Sequence, residues 1–193
     1  MISNDEKIFQ ALKNNGVVVM PTDTIYGIVG CAQNTAVVLR IYKMRKRNPK
    51  KPCIILIGDV DALNNFSIIL NEKQKTVIEK YWSFDLTQGP QLDSVSVVFD
   101  CPYKKFTYLH RGTKTLAFRL PASQSLRNLL LKTGPLIAPS ANLEALPPSR
   151  TISEAKEYFG DSVDLYVDGG TITNKASKVI KLNKDGSVNM LRT

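Results

Sequence analysis

Two stretches of this sequence carry hydroxyl, carboxylate and amide groups at a density that a simple turn does not need. One is Pro21-Thr22-Asp23-Thr24-Ile25-Tyr26-Gly27, the other Pro139-Ser140-Ala141-Asn142. Each follows a short apolar run, Val17 to Met20 and Leu136 to Ala138, and opens with a proline that cannot continue a central ladder. Strand ends of this kind are where open α/β sheets bind small polar ligands. The alternative is a Pro-initiated turn in which Thr22 and Asp23 bond their own backbone. Two cationic features accompany them. Lys43, Arg45, Lys46, Arg47, Lys50 and Lys51 put six cations into nine residues between a helix and a strand. Their mutual repulsion, on the order of 1 kcal/mol per close pair even in water-like dielectric, exceeds what a helix C-terminus repays. A polyanion that neutralises them is therefore a simpler reading than a solvated charge run. Arg119 interrupts the apolar run Thr115 to Pro121, and a guanidinium buried there needs either a ligand or an internal carboxylate.

The elements that must position these groups alternate between helix and strand. Ser3-x-x-Glu6 is a capping box opening a helix with Ile8, Phe9 and Leu12, which ends at Gly16 and feeds the strand Val17 to Met20. Ile25 to Cys31 is a second apolar stretch, and a helix from Thr35 offers Val38, Leu39, Ile41 and Tyr42 to the core. The prolines at 49 and 52 turn Arg45 to Lys51 into a loop before the strand Cys53 to Ile57. A helix capped by Asn71 leads to Trp82, a polar loop covers 83–94, and Val95 to Phe99 is a strand. Pro102 to Arg111 is a basic, aromatic connection in which His110 is expected at the surface. Ser123 to Lys132 is a helix, and Thr151-x-x-Glu154 caps another that runs through Tyr158. Val163 to Val167 is a strand closed by Asp168-Gly169-Gly170, a turn or a close backbone approach to ligand. Ser177 to Leu182 and Val188 to Leu191 form a last hairpin.

Composition narrows the function. A length of 193 residues with 43% hydrophobic content suits one globular domain, and no apolar run is long enough to span a bilayer. The N-terminus does not read as a signal peptide, so a cytoplasmic protein is expected. Cys31, Cys53 and Cys101 are odd in number and widely spaced, which argues against a disulfide framework or a zinc site. The formal net charge of +9 favours an anionic partner, nucleic acid or phosphate-bearing small molecule. Neither G-x-x-x-x-G-K-[ST] nor G-x-G-x-x-G occurs, so a bound nucleotide would be held by another arrangement.

The strand end from Pro21 to Gly27, the basic stretch to Pro52, Leu116 to Pro121, Gly134 to Leu143 and Val167-Asp168-Gly169-Gly170 together resemble, in that order, the YrdC/TsaC family. The resemblance covers nearly the whole chain and implies one YrdC-like domain over 1–193. Its fold would be α/β, a twisted mixed sheet with flanking helices and a concave basic cavity. It further implies threonylcarbamoyl-AMP synthase activity, a nucleotidyl transfer in which L-threonine, bicarbonate and ATP give threonylcarbamoyl-adenylate and pyrophosphate. Partner proteins would use the product for N6-threonylcarbamoyladenosine formation in tRNA. Such chemistry needs positioning and charge neutralisation rather than a side-chain nucleophile. On the resemblance, Arg45 and Arg47 would be catalytic. Arg47, Lys51, Thr115, Ser140, Asn142, Ser149 and Ser177 would hold ATP, and Thr24, Arg119, Ala138 and Asp168 would hold threonine. Mg2+ would accompany ATP, mostly through water and phosphate.

The sequence departs from that family in four places. Arg45 stands where a lysine is usual, Ala145 where a glycine is usual, and Ser177-Lys178 where Ser-Thr is usual. A Trp-Pro-Gly-Pro turn is replaced by Trp82 and the longer stretch to Ser94. The chain stops at Thr193, immediately after the last expected strand, so the C-terminal domain of longer relatives is not expected. A second reading, a non-catalytic paralogue that binds structured RNA (tRNA or double-stranded RNA) through its basic face, calls on the same cations.

Overall fold

The computed structural model describes residues 4–82 and 94–193. The expected cap at Ser3 and the replaced turn over 83–93 lie outside the described residues. Nine strands form one mixed sheet among the described residues: β1 (Val18–Pro21), β2 (Tyr26–Cys31), β3 (Ile54–Leu56), β4 (Val95–Asp100), β5 (Thr115–Arg119), β6 (Leu136–Ile137), β7 (Leu165–Tyr166), β8 (Lys178–Leu182) and β9 (Val188–Arg192). Their spatial order is β7-β1-β2-β6-β3-β5-β4-β8-β9. The helices are α1 (Asn4–Lys13), α2 (Thr35–Met44), α3 (Glu72–Trp82), α4 (Thr107–His110), α5 (Gln124–Thr133) and α6 (Ile152–Phe159).

Alternation along the strands divides the apolar residues between two cores. Val17, Val19, Ile55, Ile57, Val97, Phe99, Leu116, Phe118 and Ile180 join Ile41, Ile78 and Phe159 on one face of the sheet. Val18, Met20, Leu56 and Leu136 pack with Ile8, Leu12, Leu126 and Leu130 of α1 and α5 on the other. The same period turns Ala117 and Arg119 away from the first core, beside Ser96, which is paired with Arg119 in the ladder. A polar pocket can form on that second face.

Several caps follow the expected chemistry. Asn34 Oδ1 accepts from the N–H groups of Ala36 and Val37, Asn71 Oδ1 from Gln74, Ser123 Oγ from Leu126 and Thr151 Oγ1 from Glu154. Three expectations need correction. Leu39 faces solvent, because Val37, not Leu39, completes the buried stripe with Val38, Ile41 and Tyr42. The segment 102–111 folds into a short 3-10 turn and α4. His110 is buried, 4% exposed, where its Nδ1 accepts the Gly112 N–H at 3.1 Å.

Helix α2 approaches β2 so closely that a Cβ on Gly30 would lie 2.4 Å from Val37 Cγ1 and 3.1 Å from Ile41 Cδ1. Gly30→Ala is expected to cost about 1–3 kcal/mol through overpacking, lowering Tm by roughly 3–10 °C in a thermal melt.

Candidate functional site

The two proline-marked strand ends lie side by side. Gly27 bridges to Ser140, the Ile28 N–H donates to Pro139 O at 3.0 Å, and the Ala141 N–H donates to Tyr26 O at 2.9 Å. Pro21 is the last residue of β1, paired with Tyr26, and the chain reverses through Thr22 to Ile25. The Thr22 hydroxyl donates to Ile25 O at 2.7 Å and sits 3.1 Å from the Thr24 hydroxyl. Thr22 thus bonds its own turn, whereas Asp23 reaches across the sheet.

Asp23 is the carboxylate that buried Arg119 required. Its Oδ1 lies 2.9 Å from Arg119 Nη2, and both side chains are almost completely enclosed. Asp23 Oδ2 accepts from Ser94 Oγ at 2.9 Å and from the Ala122 N–H at 3.3 Å. Arg119 Nη2 also donates to Thr22 Oγ1 at 3.3 Å, while Arg119 Nε is buried without a hydrogen-bond partner. Burial pulls the Arg119 guanidinium down from its ordinary value, Asp23 opposes that shift, and nearby Arg192 adds to it.

Thr22, Thr24 and Arg119 open onto a cavity of about 370 Å3. Its wall contains Thr22, Thr24, Arg119, Ala138, Ser140, Ser177 and Arg47, together with Cys53, Ala117 and Arg192. Ser177 Oγ lies 2.8 Å from Ser96 Oγ, and Arg192 Nη2 donates to Ser177 O at 2.6 Å. Among the described residues lining it there is no carboxylate and no imidazole. Burial raises the Cys53 thiol against the opposing pull of Arg47, which keeps it protonated near neutrality. The wall therefore offers guanidiniums and hydroxyls, equipment for holding an anion in place.

The remaining expected residues stand behind or beside this wall. Arg45 is 2% exposed, and its guanidinium is turned inward. Nε donates to Asn142 O at 3.0 Å, and Nη2 donates to Asn142 Oδ1 at 3.0 Å and to Ser140 Oγ at 3.2 Å. Burial and the charge of Arg47 bring it down to about 10, so it stays protonated at neutral pH. Ser149 Oγ donates to Ala141 O. Arg45, Asn142 and Ser149 thus fix the Ser140 segment from behind and do not line the cavity. Thr115, at the far end of β5, bonds Thr113. Lys51 is largely exposed and bonds Glu144. Asp168 accepts from the Gly170 N–H at 2.8 Å. The close approach at Gly169 is to Pro21, whose Cγ would lie 2.2 Å from an added Cβ, so this turn serves packing.

Sequence reasoning missed Arg192. It ends a strand of mixed polarity, and only the β8–β9 register, which pairs Arg192 with Val179, carries it to the wall.

The architecture defines an α/β domain whose strand ends hold a small cavity lined by guanidiniums and hydroxyls. The Sua5/YciO/YrdC family model, described as telomere recombination, matches residues 10–193, and the chain belongs to that family. A threonylcarbamoyl-AMP synthase of Bacillus subtilis is 33% identical over 174 residues, 87% of this chain and 47% of that protein. The chain thus spans about half the length of that relative. A threonylcarbamoyl-AMP synthase of Idiomarina loihiensis is 30% identical over 171 residues, 86% of each. The crystal structure of P. abyssi Sua5 complexed with L-threonine superposes with a TM-score of 0.81 at 24% identity, covering all of this chain and 55% of that one. This last likeness concerns the fold.

Proposed function

We propose that this domain makes threonylcarbamoyl-AMP and pyrophosphate from L-threonine, bicarbonate and ATP, as a nucleotidyltransferase that supplies the modification of tRNA adenosine to N6-threonylcarbamoyladenosine. The carrying observation is a single cavity whose wall brings Thr22, Thr24 and Arg119 together with Arg47, Ser140, Ser177 and Arg192. A volume of about 370 Å3 lies in the range of small-molecule sites. The names of the B. subtilis and I. loihiensis relatives support the reaction, and the L-threonine bound to P. abyssi Sua5 supports the amino acid.

In this reading Arg119 holds the threonine carboxylate, Thr22 and Thr24 meet its polar groups, and Ala138 leaves room beside it. Arg47 and Arg192 face the phosphates, with Lys51 at the rim. The threonine amine and bicarbonate condense to a carbamate with loss of water; a carbamate oxygen then attacks the α-phosphorus of ATP, and the bond to the bridging oxygen of the leaving pyrophosphate breaks. The chain's contribution is to align the two anions and neutralise charge developing on the phosphates. Mg2+ fits as an ion carried in on ATP, since the wall presents hydroxyls and no carboxylate among the described residues. Bound there, it would neutralise phosphate charge, and the wall hydroxyls would be the protein oxygens open to it.

The RNA-binding reading is less well served. Arg45 is buried, Arg47 and Arg119 turn into a cavity too small for a nucleic-acid strand, and Lys51 is occupied by Glu144. The test is pyrophosphate release from ATP by the purified chain, which should require both L-threonine and bicarbonate. Arg47→Ala should lower kcat/KM by roughly 30- to 1,000-fold, because a guanidinium facing the leaving phosphates is lost. Absence of turnover in a folded wild-type protein would end the synthase reading.

A further inference from the structure

Two of the cations that the synthase reading gives to the phosphates, Arg47 in the cavity wall and Lys51 beside it in the basic loop, are already paired. Glu144 Oε2 lies 3.3 Å from Arg47 Nη1, and Glu144 Oε1 lies 3.0 Å from Lys51 Nζ. One carboxylate therefore bridges two cations of the basic loop. It comes to them from a distant part of the chain, 97 residues from Arg47 and 93 from Lys51 in sequence.

Its placement is built rather than incidental. The Glu144 N–H donates to Arg45 O at 2.8 Å, tying the two loops together through their backbones. Asn142 Nδ2 donates to Leu143 O and Leu146 O, both at 2.7 Å, which pins the loop on either side of Glu144. Ala145 takes a left-handed backbone with φ of 68°, a conformation that costs energy for any residue with a Cβ and is retained only when its surroundings enforce it. The bridge, through its hydrogen bond to Lys51 first, holds the Glu144 carboxyl below its usual range, so it is charged at neutral pH.

Arg47 keeps two other supports, with Nε donating to Lys51 O at 3.2 Å and Nη2 to Pro52 O at 2.8 Å. Releasing Glu144 would leave the guanidinium in position while freeing the Nη1 edge. We infer that Glu144 is a built-in counter-anion, a carboxylate that occupies Arg47 and Lys51 before substrate arrives and is displaced by the polyphosphate that enters. The two cations stay charge-balanced in the meantime, and an incoming anion must exceed a carboxylate's hold on both. Inorganic phosphate is a poor competitor by that measure; a polyphosphate that spans both cations is a good one.

This inference rests on the synthase reading for the identity of the anion, but its test does not depend on turnover. Pyrophosphate is titrated into wild type, Glu144→Gln and Glu144→Ala by calorimetry at fixed, low ionic strength. Removing the competing charge should tighten pyrophosphate binding by roughly threefold to tenfold in both variants. It should also lower Tm slightly in the absence of anion, with added pyrophosphate restoring more stability than it gives the wild type. Binding that is unchanged or weaker in the variants overturns the inference, and identifies Glu144 as a support for the arginine. If wild type binds no measurable pyrophosphate, gain of binding in Glu144→Gln upholds it and continued absence overturns it. Tighter binding together with no threonine-dependent turnover in wild type would retire the synthase reading and leave the counter-anion standing.

Discussion

Arg119→Ala is expected to abolish L-threonine-dependent pyrophosphate release, with kcat/KM falling by at least about a hundredfold. The side chain sits in the second-face register of β5, 5% exposed, with Asp23 on Nη2 and an unpartnered Nε. A buried N–H with no acceptor carries a desolvation cost, and the same residue lines the cavity beside Thr22 and Thr24, so Arg119 is the cation placed to receive a substrate carboxylate there. Truncation also strands the Asp23 carboxylate, whose other contacts, Ser94 and the Ala122 N–H, do not neutralise it. A destabilisation of about 3–5 kcal/mol is expected from breaking such a buried pair.

Loss of activity in that variant alone would not separate binding from folding. Arg119→Lys separates them, because an ammonium keeps the ion pair with Asp23 but loses the planar fork that grips a carboxylate in two places. It should remain folded, bind ATP as wild type does, and show KM for L-threonine raised by roughly 10- to 100-fold. An unaltered threonine KM in a folded Arg119→Lys enzyme would remove Arg119 from the substrate's carboxylate.

Arg119 also shows what the sequence can and cannot disclose. That it needed a partner was legible from a charge inside an apolar strand. Which partner was not, because β6 and β3 separate β2 from β5 in the sheet and Asp23, just before β2, looks locally like a turn residue. The strand ends at Pro21 and Pro139 were visible as proline after an apolar run, and their adjacency follows from β2 pairing with both β1 and β6. Arg45 shows the opposite failure. In a run of cations every member looks exposed, yet Lys46 takes a left-handed backbone with φ of 48° just after it, and the turn sends Arg45 inward while Arg47 faces the cavity. Periodicity does not reach across such a turn. Arg192 and Glu144 were missed for a related reason, since each acquires its meaning only from a distant neighbour.

Asn142→Ala should be the most damaging single change at a position outside both the cavity wall and the apolar cores. Its amide is fully used: Oδ1 accepts from Arg45 Nη2 and from Ser140 Oγ, and Nδ2 donates to Leu143 O and Leu146 O. Alanine would leave a buried guanidinium short of an acceptor and two loop carbonyls short of a donor. Arg45 already has Nη1 buried without a hydrogen-bond partner, so the guanidinium has little left to lose. Each stranded group costs about 1–3 kcal/mol, and partial relaxation of the loop should hold the net loss to about 2–4 kcal/mol, or roughly 5–15 °C in Tm. Because the same amide orients Ser140 in the wall and anchors the loop bearing Glu144, kcat/KM should fall with it even below the melting range. Asn142→Asp distinguishes the two edges of the amide. A carboxylate still accepts from Arg45, and its charge suits that cation, but it cannot donate to Leu143 and Leu146. If the Arg45 edge dominates, Asn142→Asp will escape the losses of Asn142→Ala and keep a Tm near wild type. If the loop edge dominates, both variants will melt early, and the Glu144 bridge to Arg47 and Lys51 will weaken with them. Wild-type stability in Asn142→Ala itself would show that neither edge carries the load this network assigns to it.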